Sequence, residues 1–346
     1  MSTFFTAVLI KRSMDIDPTI KTYPDIGHRA FGRPGRFIVL VTMNLELYLV
    51  ATAFLILEGD NLSHLFPDIH FHLFGMHMDS KKSFVLIVTA IILPTTWLRN
   101  LRILSYISAT GVMSSFIILG SIIWIGKFDG AGFEEKGQVV NWKGIPSALS
   151  LYVFCYGAHP LFPTLYTLMR RKRQFSKVLL FSFGLCTMIY ASMGVVGYLM
   201  FGVKVNSQVT LNLPTSKTSS KVAIFTTLVS PIVKYALVVT PVVETIEEHF
   251  IPRKQRAFSL LLIRTTLVIT TMIVALSLPF FEQLMSIIGA LLNVTLSILL
   301  PSLCYLKISG AYKVFGLELV IIGLIVLLGI FIGTVSVVEM VRKASG

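Results

Sequence analysis

The stretch Leu151 to Tyr166, LYVFCYGAHPLFPTLY, decides the fold. It lies in an apolar run from Ile145 to Leu168, long enough to cross a bilayer, because about 20 residues at roughly 1.5 Å each span about 30 Å of hydrocarbon. Yet Gly157, His159, Pro160 and Pro163 stand in its middle. Proline has no amide hydrogen and glycine permits unusual dihedrals, so carbonyls between Tyr156 and Pro163 lose their helical partners. Such a break at membrane depth persists only where it is buried in protein or lines a polar cavity. A proline kink repaired by neighbouring side chains is the plainer alternative, and the better reading of the isolated Pro94, Pro231, Pro241 and Pro301. Two prolines, a glycine and a histidine within seven residues favour a functional break.

Working outward, the rest of the chain has the same character. Of 346 residues 54% are hydrophobic and 14% charged, and the mean hydropathy is +0.79, which marks an integral membrane protein. Nine apolar runs are long enough to read as spans: Phe37 to Leu57, Phe84 to Leu98, Leu104 to Ile125, Ile145 to Leu168, Val178 to Phe201, Val222 to Val243, Phe258 to Leu278, Gln283 to Tyr305 and Leu317 to Met340. A shorter run, Ser2 to Ile10, resembles the tail of a helix. Its basic residues, Lys11 and Arg12, follow the apolar stretch rather than precede it, unlike a signal peptide. The connections are short, so the whole chain, 1–346, reads as one membrane domain.

The net charge of +13 is distributed between the spans and not over one folded face, so topology explains it better than nucleic acid does. Placing alternate connections on one side puts 18 of the 30 Lys and Arg residues there, against 10 opposite. The richer side is expected to be cytosolic. It includes the loop 11–36 and the basic loop 169–177, which carries RRKRQFSK. Cys155, Cys186 and Cys304 all fall in apolar runs and read as small hydrophobes, not as a disulfide or metal framework.

Ionisable groups inside spans are functional candidates by default. Glu46 lies mid-span in TMNLELYLV and Lys234 mid-span in SPIVKYALVV, both candidates for proton coupling or buried charge; Lys234 reads as occupying a cation site, as carrying a coupling proton, or as one half of a structural pair with a carboxylate such as Glu46. His159 has a side chain suited to proton exchange, and equally suited to satisfying freed carbonyls as a neutral imidazole. Glu58 and Asp60, at a span end, read as ordinarily solvated, as does the cluster Glu244, Glu247 and Glu248. His64, His70, His72 and His77 share one connection; a solvated loop is preferred there to a metal site. Asn61 opens a glycosylation sequon close to a span end, and the one at Asn293 lies inside a span and is set aside. Gly329 and Gly333 let another helix approach the last span, most simply within the same chain.

Transporters with broken helices commonly carry two repeats of opposite orientation, with one break in each. If the span from Ile145 opens a second five-helix repeat, the first repeat ends at Ile125 and has only four elements here. The counterpart of the broken helix is therefore expected before Met1.

The segments TYPDIGHRAFGRPGR, LELYLVATAFLILEGDNLSHLFP, WLRNLRILSYISATG, YVFCYGAHPLFPTLY and LNLP occur in an order that resembles the amino acid/auxin permeases, and within them the plant vacuolar amino-acid transporters of the AVT type. The resemblance implies an all-α, leucine-transporter-like inverted-repeat fold of eleven helices, of which this chain has about nine full helices and a partial N-terminal one, the first being absent. It implies substrate binding between two unwound helices, at Tyr156, Gly157, His159 and Pro160 here, with Tyr152 one turn upstream. It further implies alternating access around 156–163, coupling to a proton gradient, and residence in the vacuolar membrane, with the plasma membrane as second choice. Neutral L-amino acids, protons and the lipid bilayer are the expected partners, with no cofactor and no metal. A non-transporting amino-acid sensor or truncated regulatory paralogue is the alternative. No protease, hydrolase or phosphate-loop motif points to an enzyme.

Overall fold

The computed structural model describes residues 2–69, 71–73, 76–97, 103–130, 132–133, 141–250, 256–278 and 281–345. Twelve α-helices form it: α1 (Ser2–Ile16), α2 (Tyr23–Leu65), α3 (Ser80–Trp97), α4 (Ile103–Phe128), α5 (Ile145–Cys155), α6 (Phe162–Leu168), α7 (Phe175–Phe201), α8 (Thr218–Phe250), α9 (Arg256–Ser277), α10 (Phe281–Ile287), α11 (Leu300–Ser309) and α12 (Leu317–Ser345). A two-stranded hairpin, β1 (Phe71–Leu73) and β2 (Met76–Met78), sets His72 opposite His77; His70 lies outside the described residues.

The segment expected to be a loop over 11–36 is mostly helical. α1 continues to Ile16, and α2 begins at Tyr23 and turns sharply at Gly32 (φ 69°, ψ −151°). That backbone conformation is open only to glycine, and Pro34 follows it where the first turn of a new helix needs no amide hydrogen. Beyond the turn the chain returns on itself: a Cβ on Gly27 would stand 2.6 Å from the Gly35 carbonyl oxygen. The motif GHRAFGRPGR is therefore a corner built from glycines and one proline.

Seven helical stretches among the described residues are long and apolar enough to cross a membrane: Tyr23–Leu65, Thr110–Phe128, Lys172–Lys204, Thr218–Glu247, Ser259–Ser277, Phe281–Ser309 and Leu317–Glu339. Two of the nine expected spans are not among them, for different reasons. The run from Phe84 belongs to α3, whose 18 residues begin with Lys81 and Lys82 in the first turn. The run from Ile145 is divided into α5 and α6, of 11 and 7 residues, neither of which crosses alone.

The chain divides into two compact units. The first comprises residues 1–46, 141–186 and 283–346. In it α1 packs on α6, α11 and the irregular helix before α11, while α5 packs on that same irregular helix and on α12. Val153, Val294, Ile298 and Ile332 form one core cluster there. Gly329 and Gly333 serve this packing: Cβ atoms on them would stand 2.8 Å from Ile298 and 3.2 Å from the Ala290 carbonyl oxygen. The second unit comprises residues 47–140 and 187–282. There α4 lies along α8 beside the cluster Ile122, Ile125, Met200, Leu213, Ala223 and Ile224, and α3 packs against α8 and α9.

Candidate functional site

The break stands where the prolines place it, and it is narrower than expected. α5 ends at Cys155, residues 156–158 are unwound, His159–Leu161 form a single 3-10 turn, and α6 resumes at Phe162. Without amide hydrogens on Pro160 and Pro163, the carbonyls of Tyr156 and His159 lose their ordinary helical donors. They take Ala158 N–H, at 3.0 Å, and Phe162 N–H instead. Leu161 N–H likewise reaches only to Ala158 O, at 3.1 Å.

A second irregular helix faces the break within the same unit. Residues Ile288–Asn293 and Thr295–Leu299 are π-helical, and Pro301 follows. Such widened turns gather at functional positions. Pro301 has no amide to offer the carbonyl of Ser297, four residues earlier, or that of Leu296, five earlier. Hydroxyl groups from elsewhere supply the missing donors. Thr6 Oγ1 donates to Ser297 O at 2.6 Å, and Tyr23 OH donates to Leu296 O at 2.5 Å.

His159 completes this arrangement. Its ring is fully buried, and Nε2 lies 2.9 Å from Thr3 O and 3.0 Å from Thr6 Oγ1. A carbonyl oxygen only accepts, so Nε2 carries the hydrogen. That one hydrogen is shared between Thr3 O and the Thr6 hydroxyl, which in turn donates to Ser297 O. A continuous chain of hydrogen bonds thus runs from the 3-10 turn through α1 to the π-helical segment. With Nε2 committed, Nδ1 is the ring atom at which a proton can be gained or lost.

Gly157 lies in the unwound turn, directly against Asn293. A Cβ on Gly157 would fall 1.8 Å from Asn293 Oδ1. Asn293 is 1% exposed, and its Nδ2 has no hydrogen-bond partner among the described residues. The aromatic wall beside the turn is continuous: Tyr156 stacks on Phe183 at 5.7 Å, and Tyr152 meets Tyr156 at 5.0 Å. Tyr156, His159 and Pro160 are buried, while Tyr152 is 51% exposed and meets the turn at Tyr156.

Glu46, in α2, is buried, and its Oε2 has no partner among the described residues. Lys234 belongs to the second unit, where its side chain runs against Gly111 of α4. Glu58 is not solvated as expected; it is 0% exposed. Next to it, Gly59 lets α3 approach until a Cβ there would stand 2.7 Å from Val85. Asp60 pairs with Lys81 and accepts from Gln208 Nε2 at 3.0 Å, so it too is part of a packed network. Asn61 is buried with it, donating to Gln208 Oε1 at 2.8 Å and accepting from Thr210 at 2.6 Å.

Sequence reasoning missed Asn293 and the two threonines of α1. One available signal was the spacing of Gly289, Asn293 and Ser297, four residues apart, which puts small and polar groups on one helical face. Gly289 uses its lack of a side chain to meet α5: a Cβ there would stand 2.1 Å from Ser150 O.

At the far end of α6 a polar cluster holds α1. Lys11 Nζ lies 2.5 Å from Asp15, Tyr166 OH donates to the same carboxylate, and Lys172 sits 5.2 Å from the Tyr166 ring centre. Burial raises the Asp15 pKa, but the hydrogen bonds from Lys11 and Tyr166, with the charges of Lys11 and Lys172, outweigh it and hold the carboxyl below its ordinary value.

Residues 1–341 match the family described as transmembrane amino acid transporter protein. The chain belongs to that family. It is similar to Amino acid transporter AVT1I of Arabidopsis thaliana, 54% identical over 347 aligned positions that cover 100% of this chain and 86% of that protein. Amino acid transporter AVT1J of the same plant is 52% identical, covering 100% of this chain and 82% of its own length. The Vesicular inhibitory amino acid transporter of Xenopus laevis is 25% identical over 83% of this chain and 57% of its own length. The family membership and the seven apolar helices make the chain an integral membrane protein of a transporter family and not an enzyme.

Proposed function

We propose that this chain is a secondary active transporter of neutral L-amino acids across an internal membrane, the vacuolar membrane being the first choice. Transport proceeds by alternating access around the broken helix at 156–163 in a leucine-transporter-like fold, and a proton gradient drives it. The basic connections 11–36 and 169–177 then face the cytosol.

The observation that carries this reading is the break itself, set against a π-helical segment and surrounded by Thr3, Thr6, His159, Asn293 and Ser297. An unwound turn braced from outside is the type of element at which transporters bind substrate. The side chains around it are hydroxyls, an imidazole and a carboxamide, with no carboxylate or ammonium among those named. That set suits a zwitterionic amino acid with an uncharged side chain better than one carrying an extra charge. Tyr152, Tyr156, Gly157, His159 and Pro160 are the proposed contacts, and His159, Glu46 and Lys234 the groups to be tested for proton coupling.

Purified protein in proteoliposomes, given labelled alanine, leucine and glutamine under an imposed pH or sodium gradient, tests the reading. Uptake driven by the pH gradient and abolished by a protonophore is expected. Sodium-driven uptake insensitive to pH overturns the coupling, and tight binding without uptake favours the sensor.

A further inference from the structure

We propose that Asn293 is a substrate ligand whose carboxamide hydrogens hold the α-carboxylate of the amino acid at the break. The identity of the ligand rests on the transport reading above. The placement of the residue rests on three observations of its own.

First, the donors and carbonyls that converge on the break are otherwise committed. Ser297 O is taken by Thr6, Leu296 O by Tyr23, and His159 Nε2 by Thr3 and Thr6. Two buried nitrogens there have no partner among the described residues: His159 Nδ1, which can only accept while Nε2 carries the hydrogen, and Asn293 Nδ2, which is the open donor although Asn293 is 1% exposed. Natural structures leave few buried donors unmatched, and those they do leave call for a reason.

Second, the carboxamide is held over the unwound turn and not merely near it. The place a Gly157 side chain would occupy is 1.8 Å from Oδ1 and 2.7 Å from Nδ2. Glycine at 157 makes room for an amide there, and the π-helical turn that ends at Asn293 presents it. Packing alone does not call for this pairing, since a leucine has nearly the shape of an asparagine and carries no polar atoms to bury.

Third, the chemistry selects one half of the substrate. Oδ1 stands against Gly157 and is reached by Ser297 Oγ at 3.5 Å, so the open capacity of the group is donation. Amide hydrogens match a carboxylate and repel an ammonium. Every α-amino acid carries that carboxylate, so Asn293 recognises the class and leaves discrimination between side chains to other residues.

The test is ligand-induced thermal stabilisation of the purified full chain, titrated with L-alanine, L-leucine and L-glutamine and with their primary carboxamides, in wild type, Asn293→Leu and Asn293→Asp. Wild type should bind the acids at least ten-fold more tightly than the carboxamides. Asn293→Leu keeps the shape, and should lose ten-fold or more in affinity for the acids and less than two-fold for the carboxamides. Asn293→Asp replaces donors with an anion and should lose acid binding altogether. Either variant binding the acids within two-fold of wild type overturns the proposal. So does a wild type that binds the carboxamides as tightly as the acids, a result that needs no variant to fold. If wild type binds none of the amino acids, the transport reading fails and the proposal with it; if it binds them and the variants do too, only the proposal fails.

Discussion

Gly157 has no room for a side chain because the Asn293 carboxamide stands where one would go, 1.8 Å from the position of an added Cβ. The contact joins the unwound turn to the π-helical segment, and it makes a sharp prediction for Gly157→Ala. Asn293 is too short a side chain to swing aside freely, so the helices must separate or the turn must shift. Overpacking of this kind costs about 1–3 kcal/mol. The melting temperature of detergent-solubilised Gly157→Ala should therefore fall clearly. Adding Asn293→Ala should restore much of the loss, since the atom that clashes is then gone. Strictly additive effects of the two changes would show that the contact does not constrain the turn.

Thr6 and Pro301 offer a second, independent cycle. The Thr6 hydroxyl donates to Ser297 O because Pro301 has no amide hydrogen to give it. Thr6→Val leaves that buried carbonyl without a donor, at a cost of about 1–3 kcal/mol. In a Pro301→Ala background the helix supplies the donor itself, and the same substitution should cost less than half as much. Equal losses in both backgrounds would mean that Thr6 matters for some other reason.

The break was legible in the sequence because its cause is local. Pro160 and Pro163 remove donors wherever the chain goes, and Gly157 marks the turn whatever packs upon it. Its bracing was not legible, because Thr3, Thr6 and Asn293 lie far from His159 along the chain, and only the packing of α1 and the π-helical segment brings them together. Asn293 in particular reads as a stray sequon within an apolar run. Glu58 failed for a related reason: the end of an apolar run does not disclose what lies against it, and the informative neighbour is Gly59, which admits α3. The loop expected over 11–36 was misjudged because charged and glycine-rich sequence obscured a helix, α2, that turns a corner at Gly32.

The clamp on α6 is expected to depend on pH in one direction. Hydrogen bonds and positive charge hold the Asp15 carboxyl below its ordinary value of about 3.9 against the opposing effect of burial. Its folded value is then lower than its unfolded one, so the stability it contributes is fully present above about pH 4 and is lost as pH falls through the folded value. Asp15 is partly exposed, which limits the effect to about 1 kcal/mol or less. The difference in melting temperature between wild type and Asp15→Asn should stay level between about pH 5 and 7 and shrink below about 4. A difference that widens on acidification would contradict the assignment.

The sequon at Asn61 should carry no glycan. Its Nδ2, the atom a glycan would occupy, donates both to Leu57 O and to Gln208 Oε1, each at 2.8 Å, and its Oδ1 accepts from Thr210. The amide is fully used and buried, in a network that extends through Gln208 to Asp60 and Lys81. A sugar there would take the place of one of the two committed amide hydrogens and force α2 away from the turn that carries Gln208 and Thr210. Protein expressed in a glycosylating host should therefore keep its electrophoretic mobility after treatment with an amidase that removes N-glycans. Asn61→Ala, which leaves Gln208 and Thr210 without their buried partner, should cost about 1–3 kcal/mol in stability without any change in mobility. A shift in mobility that Asn61→Ala abolishes would show that this end of α2 opens far enough during synthesis to be modified.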